Sequence, residues 1–253
     1  MRDHFEARGH SRTQLRSLWG LLPLILLVLL PQNGAADPSE TIAHALARHH
    51  IELTKPALVE ALRNPDKEVR GLAAWELLEM KANDSLPQIL QAMRDEKDPA
   101  TEVNLASAAA HFGANEGTAE LVKVCGDPAL PGSVRVDAAR HLFDLKDRSC
   151  MSDLLKLINS ASDGGTRETA LNLVSQRPDL TKLEIAQMMP VSLEMLRAKE
   201  PHFRYKGAVF LSNLGDPNAI SYLRTAIQVE PEESVKSQMQ RSLDTLLSQK
   251  LAP

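Results

Sequence analysis

Apolar positions recur along this chain in a pattern that repeats itself. DKEVRGLAAWELL begins at Asp66, and PGSVRVDAARHLF places Val134 sixty-five residues after Val69, with the same Val-Arg-x-x-Ala-Ala core. With Val69 as position one of a unit, equivalents fall at Val103, Val134, Thr166, Phe203 and Val235, spaced by 34, 31, 32, 37 and 32 residues. Position five reads Ala73, Ser107, Ala138, Ala170, Gly207 and Met239; position six reads Ala74, Ala108, Ala139, Leu171, Ala208 and Gln240; position nine reads Leu77, His111, Leu142, Val174, Leu211 and Leu243. Positions one, five and nine are four apart and share one face of a helix, with position six beside them. Small residues at five and six admit a neighbouring helix closely, while larger ones at one and nine fill the space above and below.

A second apolar stretch precedes each of these helices, at residues 56–62, 85–93, 118–125, 151–158, 183–189 and 219–227. Between the two stretches lie Asn64-Pro65, Asp98-Pro99, Pro131-Gly132, Gly164-Gly165 and Pro231, which end helices and start turns. Each unit is therefore predicted to be a helical hairpin. No such hairpin buries both its faces alone, and stacking of neighbours supplies the missing core.

Helical pairs of this length with Val-Arg-x-x-Ala-Ala-x-x-Leu in the second helix resemble HEAT repeats, specifically the short bacterial kind similar to those of phycobilisome-lyase-like proteins. The resemblance covers roughly residues 55–247, is strongest at Val69–Leu78 and Val134–Phe143, and weakens at Thr166 and at the stretched spacing before Phe203. The expected fold class is all-α: an α-solenoid of about six hairpins over residues 55–253, preceded by a capping helix within 37–54.

The amino-terminal segment stands apart. Arg2, Arg8, Arg12 and Arg16 precede the apolar run Leu18–Leu30, which gives way to Gly34, Ala35 and Ala36. A basic head, a short apolar stretch and a small-residue exit are the features of a secretory signal peptide, here residues 1–36. The run is short of the about 20 apolar residues a span needs, and Pro23 interrupts it. An uncleaved anchor is the alternative. The expected product is exported, periplasmic or secreted, with no stable membrane span after cleavage. Removing four arginines and two acids with the leader takes the formal charge from −4 to −6. An acidic chain with few aromatics does not attract phosphate backbones or stack bases, so nucleic acid is not an expected partner.

Position two is basic in five of six units: Arg70, Asn104, Arg135, Arg167, Arg204 and Lys236. A cation in the first turn of a helix opposes the macrodipole and needs an offset. Three residues before position one stand Asp66, Ala100, Pro131, Asp163, Glu200 and Glu232. These acids suit helix-start amides and an arginine of the same or the adjoining unit, and the family resemblance implies ladders of such residues along the stack. The competing reading places the arginines in an inner groove that binds an acidic ligand; the nearby acids favour the structural one.

No catalytic constellation stands out. There is no His-Glu-x-x-His, Cys-x-x-Cys-His, Gly-x-Ser-x-Gly or Ser-x-x-Lys pattern. Adjacent His49 and His50 point about 100° apart on a helix and do not share one ion. His111, in the apolar ninth column, reads as a hydrogen-bonded core histidine. Cys125 ends one first helix and Cys150 begins the next, an offset of roughly 10 Å along parallel axes. A bridge needs Cα atoms within about 7 Å, so free thiols are expected.

Columns three and seven are mixed in character. Column three reads Gly71, Leu105, Val136, Glu168, Tyr205 and Ser237; column seven reads Trp75, Ala109, Arg140, Asn172, Val209 and Arg241. Mixed columns border solvent, which singles out Trp75, Arg140, Tyr205 and Arg241 as partner-binding candidates. For Trp75 the alternatives are an exposed contact residue and a side chain covered by the amino-terminal cap. The function expected is a monomeric, non-catalytic scaffold or adaptor binding another protein, with no cofactor or metal. The alternative from another class is an accessory factor or enzyme of the lyase-like type acting on a cofactor or modified protein.

Overall fold

The computed structural model describes residues 41–161 and 163–251. The segment read as a signal peptide lies outside the described residues. Helix α1 (Ile42–Arg48) falls where the capping helix was expected and packs on α3. Six hairpins follow: α2 (Lys55–Ala61) with α3 (Lys67–Glu79), α4 (Leu86–Asp95) with α5 (Pro99–His111), α6 (Asn115–Gly126) with α7 (Gly132–Asp144), α8 (Met151–Ser160) with α9 (Gly164–Ser175), α10 (Lys182–Leu196) with α11 (Pro201–Leu214), and α12 (Ala219–Val229) with α13 (Glu233–Leu251). Among the described residues there is no strand. The second helices contact one another in order, α3 to α5 and onward to α13, so the fold is an all-α solenoid.

Local chemistry sets where the second helices begin. Asp66, Asp98 and Asp163 each turn a side-chain oxygen onto a first-turn amide, of Glu68, Thr101 and Thr166 respectively. Apart from α5, every second helix starts two residues before position one, which is why the columns keep register. Ala73, Ser107, Ala138 and Ala170 of column five are fully buried, as are Leu77, Leu142, Val174 and Leu211 of column nine. At Gly207 the approach is closest: a Cβ there would stand 2.8 Å from Leu196 Cα and from the Met195 carbonyl carbon, both backbone atoms of α10. Column six is buried alanine or leucine until α13, where Gln240 is exposed because no further hairpin among the described residues stacks on it.

Helix α5 is buried along its middle. Val103, Leu105, Ala106, Ser107, Ala108 and Ala109 have no exposure, in keeping with a helix enclosed by α3, α4, α6 and α7. This corrects the expectation for column three. Leu105 and Val136 belong to the core, and a Cβ on Gly71 would come 3.0 Å from Asn104 Nδ2. The column reads as varied because the neighbour it meets changes from unit to unit.

The 37-residue spacing is taken up by α10, which runs through Pro190 to Leu196 instead of stopping at Met189. Proline removes one helical donor, and packing of Met188, Met189, Met195 and Leu196 into the core holds the helix through it.

The cysteines are also a correction. Cys125 and Cys150 form a disulfide, with Cα atoms 6.2 Å apart. The expected offset assumed first helices level with each other. Instead the last turn of α6 meets the first turn of α8, with Gly126 beside Asp153 as well. Closing a loop of 25 residues in this way contributes about 3.5 kcal/mol by the chain-entropy relation.

Gly207→Ala is expected to lower the thermal midpoint through overpacking worth about 1–3 kcal/mol, measured by circular dichroism. The equivalent change at exposed Gly165, where a Cβ meets no atom nearer than 3.6 Å, serves as the neutral control.

Candidate partner-binding surface

The basic column is an internal brace. Arg70 on α3 donates through Nε and Nη2 to the two carboxylate oxygens of Glu96, at 2.7 Å each, and through Nη1 to the Asn64 carbonyl at 2.8 Å. Glu96 closes the end of α4 and accepts the amides of Lys97 and Asp98 at 2.8 and 3.0 Å. Arg204 on α11 repeats the arrangement with Glu230 at the end of α12, again at 2.7 Å twice and again 26 residues on. Both glutamate side chains are nearly inaccessible, at 1% and 2% exposure, so neither arginine is available to a ligand.

The other members differ. Arg135 is buried and donates through Nε to the Cys125 carbonyl at 2.8 Å. Arg167 reaches the Ala161 carbonyl and Glu194, both at 3.0 Å. Asn104 accepts the Trp75 indole N–H at 3.5 Å.

Asp66 and Asp163 cap helices as expected but do not meet the arginines. The partners are glutamates at the end of the following unit's first helix, a contact invisible when only the inter-helix turn is considered. The constant separation of 26 residues from arginine to glutamate was the available signal. Burial raises the proton affinity of Glu96, but the Arg70 hydrogen bonds and two amides outweigh it and hold the carboxyl below its ordinary value. For Glu230 the Arg204 hydrogen bonds are the main cause of the same downward shift, opposed by burial. A depressed carboxylate contributes stability above its ordinary value of 4.5, and that contribution is lost as pH falls through the lower folded value.

The four candidates are not brought together into one site. Trp75 is only 8% exposed. Its ring packs between His111 of α5, at 5.9 Å between centroids, and His141 of α7, at 5.5 Å. Two helices that are not neighbours in the stack, α3 and α7, thus meet beside α5 through the Trp75 and His141 rings. Trp75 is a covered packing residue, not an exposed contact. Arg140, next to His141, is half-buried and pairs with Asp137 on its own helix. Tyr205 packs half-buried against the core of α11, and Arg241 is exposed on α13, bonded to Gln238.

The expectation that His111 is a core histidine is corrected. His111 is exposed, with Nδ1 2.9 Å from the Ser107 carbonyl. His141 is the core histidine, 4% exposed, and neither ring nitrogen has a hydrogen-bond partner among the described residues. Burial pushes it down to about 4, with Asp144 opposing and Arg140 and His111 assisting. No group of three or more His, Cys, Asp or Glu side chains among the described residues is placed to hold a metal ion.

Residues 55–131, the first two and a half hairpins, match the family model for HEAT repeats. This stretch carries HEAT repeats. Beyond it the helical hairpins continue to α13, and the arginine–glutamate brace recurs once, at Arg204 and Glu230. Solved structures similar to the chain include an engineered protein, at 21% identity over 76% of this chain and 96% of that one, with a TM-score of 0.45. Others are the complex of CpcE and CpcF of phycocyanin lyase from Nostoc sp. PCC7120 (16% identity, 77% and 95% covered, TM-score 0.36) and human deoxyhypusine hydroxylase with glycerol (15% identity, 84% and 93% covered, TM-score 0.32). No curated protein matches by sequence.

Arg70→Ala strands the Glu96 carboxylate in the HEAT core and is expected to cost about 3 kcal/mol in denaturant unfolding. Arg70→Lys recovers only part of it, since an ammonium does not reproduce the two-pronged contact. His141→Phe is expected to raise stability by about 1–2 kcal/mol by removing unpaired nitrogens. It also changes the acid limb. Neutral His141 contributes stability above its ordinary value of 6.5 that is lost as pH falls towards 4. That loss, up to about 3 kcal/mol, is absent from the phenylalanine variant when thermal midpoints are followed across the interval.

Proposed function

We propose that this protein is an exported, non-catalytic scaffold or adaptor that binds another protein along the surface of its HEAT-like stack. The observation that carries the reading is the stack itself. Six hairpins in series present a long row of helices whose exposed positions differ from unit to unit, and such repeats serve as extended binding surfaces. Arg140, Tyr205 and Arg241 are the contact residues of this reading; Trp75 is covered and drops out of it. Export is supported by the basic and apolar leader and by the Cys125–Cys150 disulfide, a bond that persists in oxidising compartments. No helix among the described residues is long and apolar enough to cross a membrane.

A photo-crosslinking side chain placed at Arg140 or Arg241 in the producing cell is expected to yield a defined protein adduct, and one placed at Gln91 on α4 is not. Adducts only from Gln91, or from none of the three, would count against the surface. Peptide mapping without reductant on protein taken from the same cells is expected to show Cys125 linked to Cys150, and reduced cysteines there would count against export.

A further inference from the structure

The junction between the fourth and fifth hairpins differs in charge from the two braced ones. At those, the residue closing the first helix of the next hairpin is a glutamate, Glu96 after α4 and Glu230 after α12. After α10 it is Arg197. Counting along the chain gives the same result, because Leu193 stands 26 residues after Arg167, where Arg70 and Arg204 have their glutamates. The longer α10 moves the available acid, Glu194, one residue further, to a side chain that is 68% exposed and touches only Nη1. Arg167 Nε is consequently buried without a hydrogen-bond partner among the described residues, whereas the same atom of Arg70 and of Arg204 donates to a carboxylate at 2.7 Å.

A cavity of about 730 Å³ opens beside it, lined by Arg167, Arg197 and Lys199, by Glu194 and Glu200, and by an apolar wall that includes Phe203. We propose that this cavity binds a carboxylate on an acidic peptide segment of a partner protein, held by Arg167 together with Arg197 and Lys199. The repeat supplies the precedent for the chemistry, since the guanidinium at this point in two other hairpins takes a carboxylate. In Arg167 Nη2 donates to the Ala161 carbonyl, which leaves Nε as the donor without a partner among the described residues. Three cations face two carboxylates, so an added anion balances the site. Glu194 is no barrier: an exposed ion pair of this kind contributes little and exchanges with a better-placed acid. The apolar wall takes a neighbouring side chain of the peptide. The inference rests on the partner-binding reading only in taking the carboxylate from a polypeptide.

The test titrates the purified protein with a fluorescent peptide of alternating glutamate and leucine, reading anisotropy together with the Arg167 Nε–H signal by NMR. Saturable binding that shifts this signal is expected, with at least tenfold weaker binding of the glutamine-leucine peptide. Leu193→Glu supplies an internal carboxylate 26 residues after Arg167, the separation at which Arg70 and Arg204 have their glutamates. It is expected to cut affinity at least tenfold with helix content unchanged. Equal binding of the two peptides, or binding indifferent to Leu193→Glu, overturns the proposal. Displacement of the peptide by inorganic phosphate at concentrations where acetate has no effect overturns the carboxylate assignment. Absence of peptide binding while crosslinking at Arg140 or Arg241 still captures a protein overturns this inference and leaves the proposed function standing.

Discussion

Two helices joined by a short turn have more apolar face than they can hide from water between them, and every other feature of this fold answers to that shortage. The remedy is a second hairpin laid against the first, then a third, with alanine, serine or glycine at the facing positions so that backbones approach and large side chains close the gaps. Gly207 against the α10 backbone is the extreme case, where even a methyl group has no room. Helix α5 shows the consequence for the interior of such a stack, because with four neighbouring helices its residues Leu105–Ala109 have no solvent exposure.

Apolar contact between hairpins is undirected, and the arginine–glutamate braces add direction. Arg70 and Arg204 each tie the start of one second helix to the end of the next first helix, through a carboxylate that also organises its own turn. A buried pair of this kind contributes modestly relative to apolar packing but is costly to break, so it penalises sliding between units. The same device explains why the fourth junction stands out. Lengthening α10 displaces the acid, brings Arg197 to the closing position and leaves Arg167 only partly satisfied. A change in the spacing of a structural repeat has thereby produced a basic, cavity-bearing seam in an otherwise acidic protein.

The covered tryptophan has a related bearing on function. With Trp75 and His141 meeting beside α5, the second-helix face of the first three hairpins is closed over at its middle. Exposed charged side chains remain along the whole stack, and the seam beside α10 differs from the rest in bringing Arg167, Arg197 and Lys199 to one cavity.

The repeat, its six units and the facing columns were legible in the amino-acid sequence, because helical periodicity and small-residue spacing are local properties that each hairpin expresses for itself. So were the aspartate caps and the basic column. Which acid meets each arginine, whether Trp75 is covered, which histidine is buried and whether Cys125 reaches Cys150 were decided only by tertiary structure. Those outcomes depend on how far one hairpin slides and rotates against the next, a displacement of a few ångströms that arises from the packing of all the interfaces together and that no single stretch of sequence encodes.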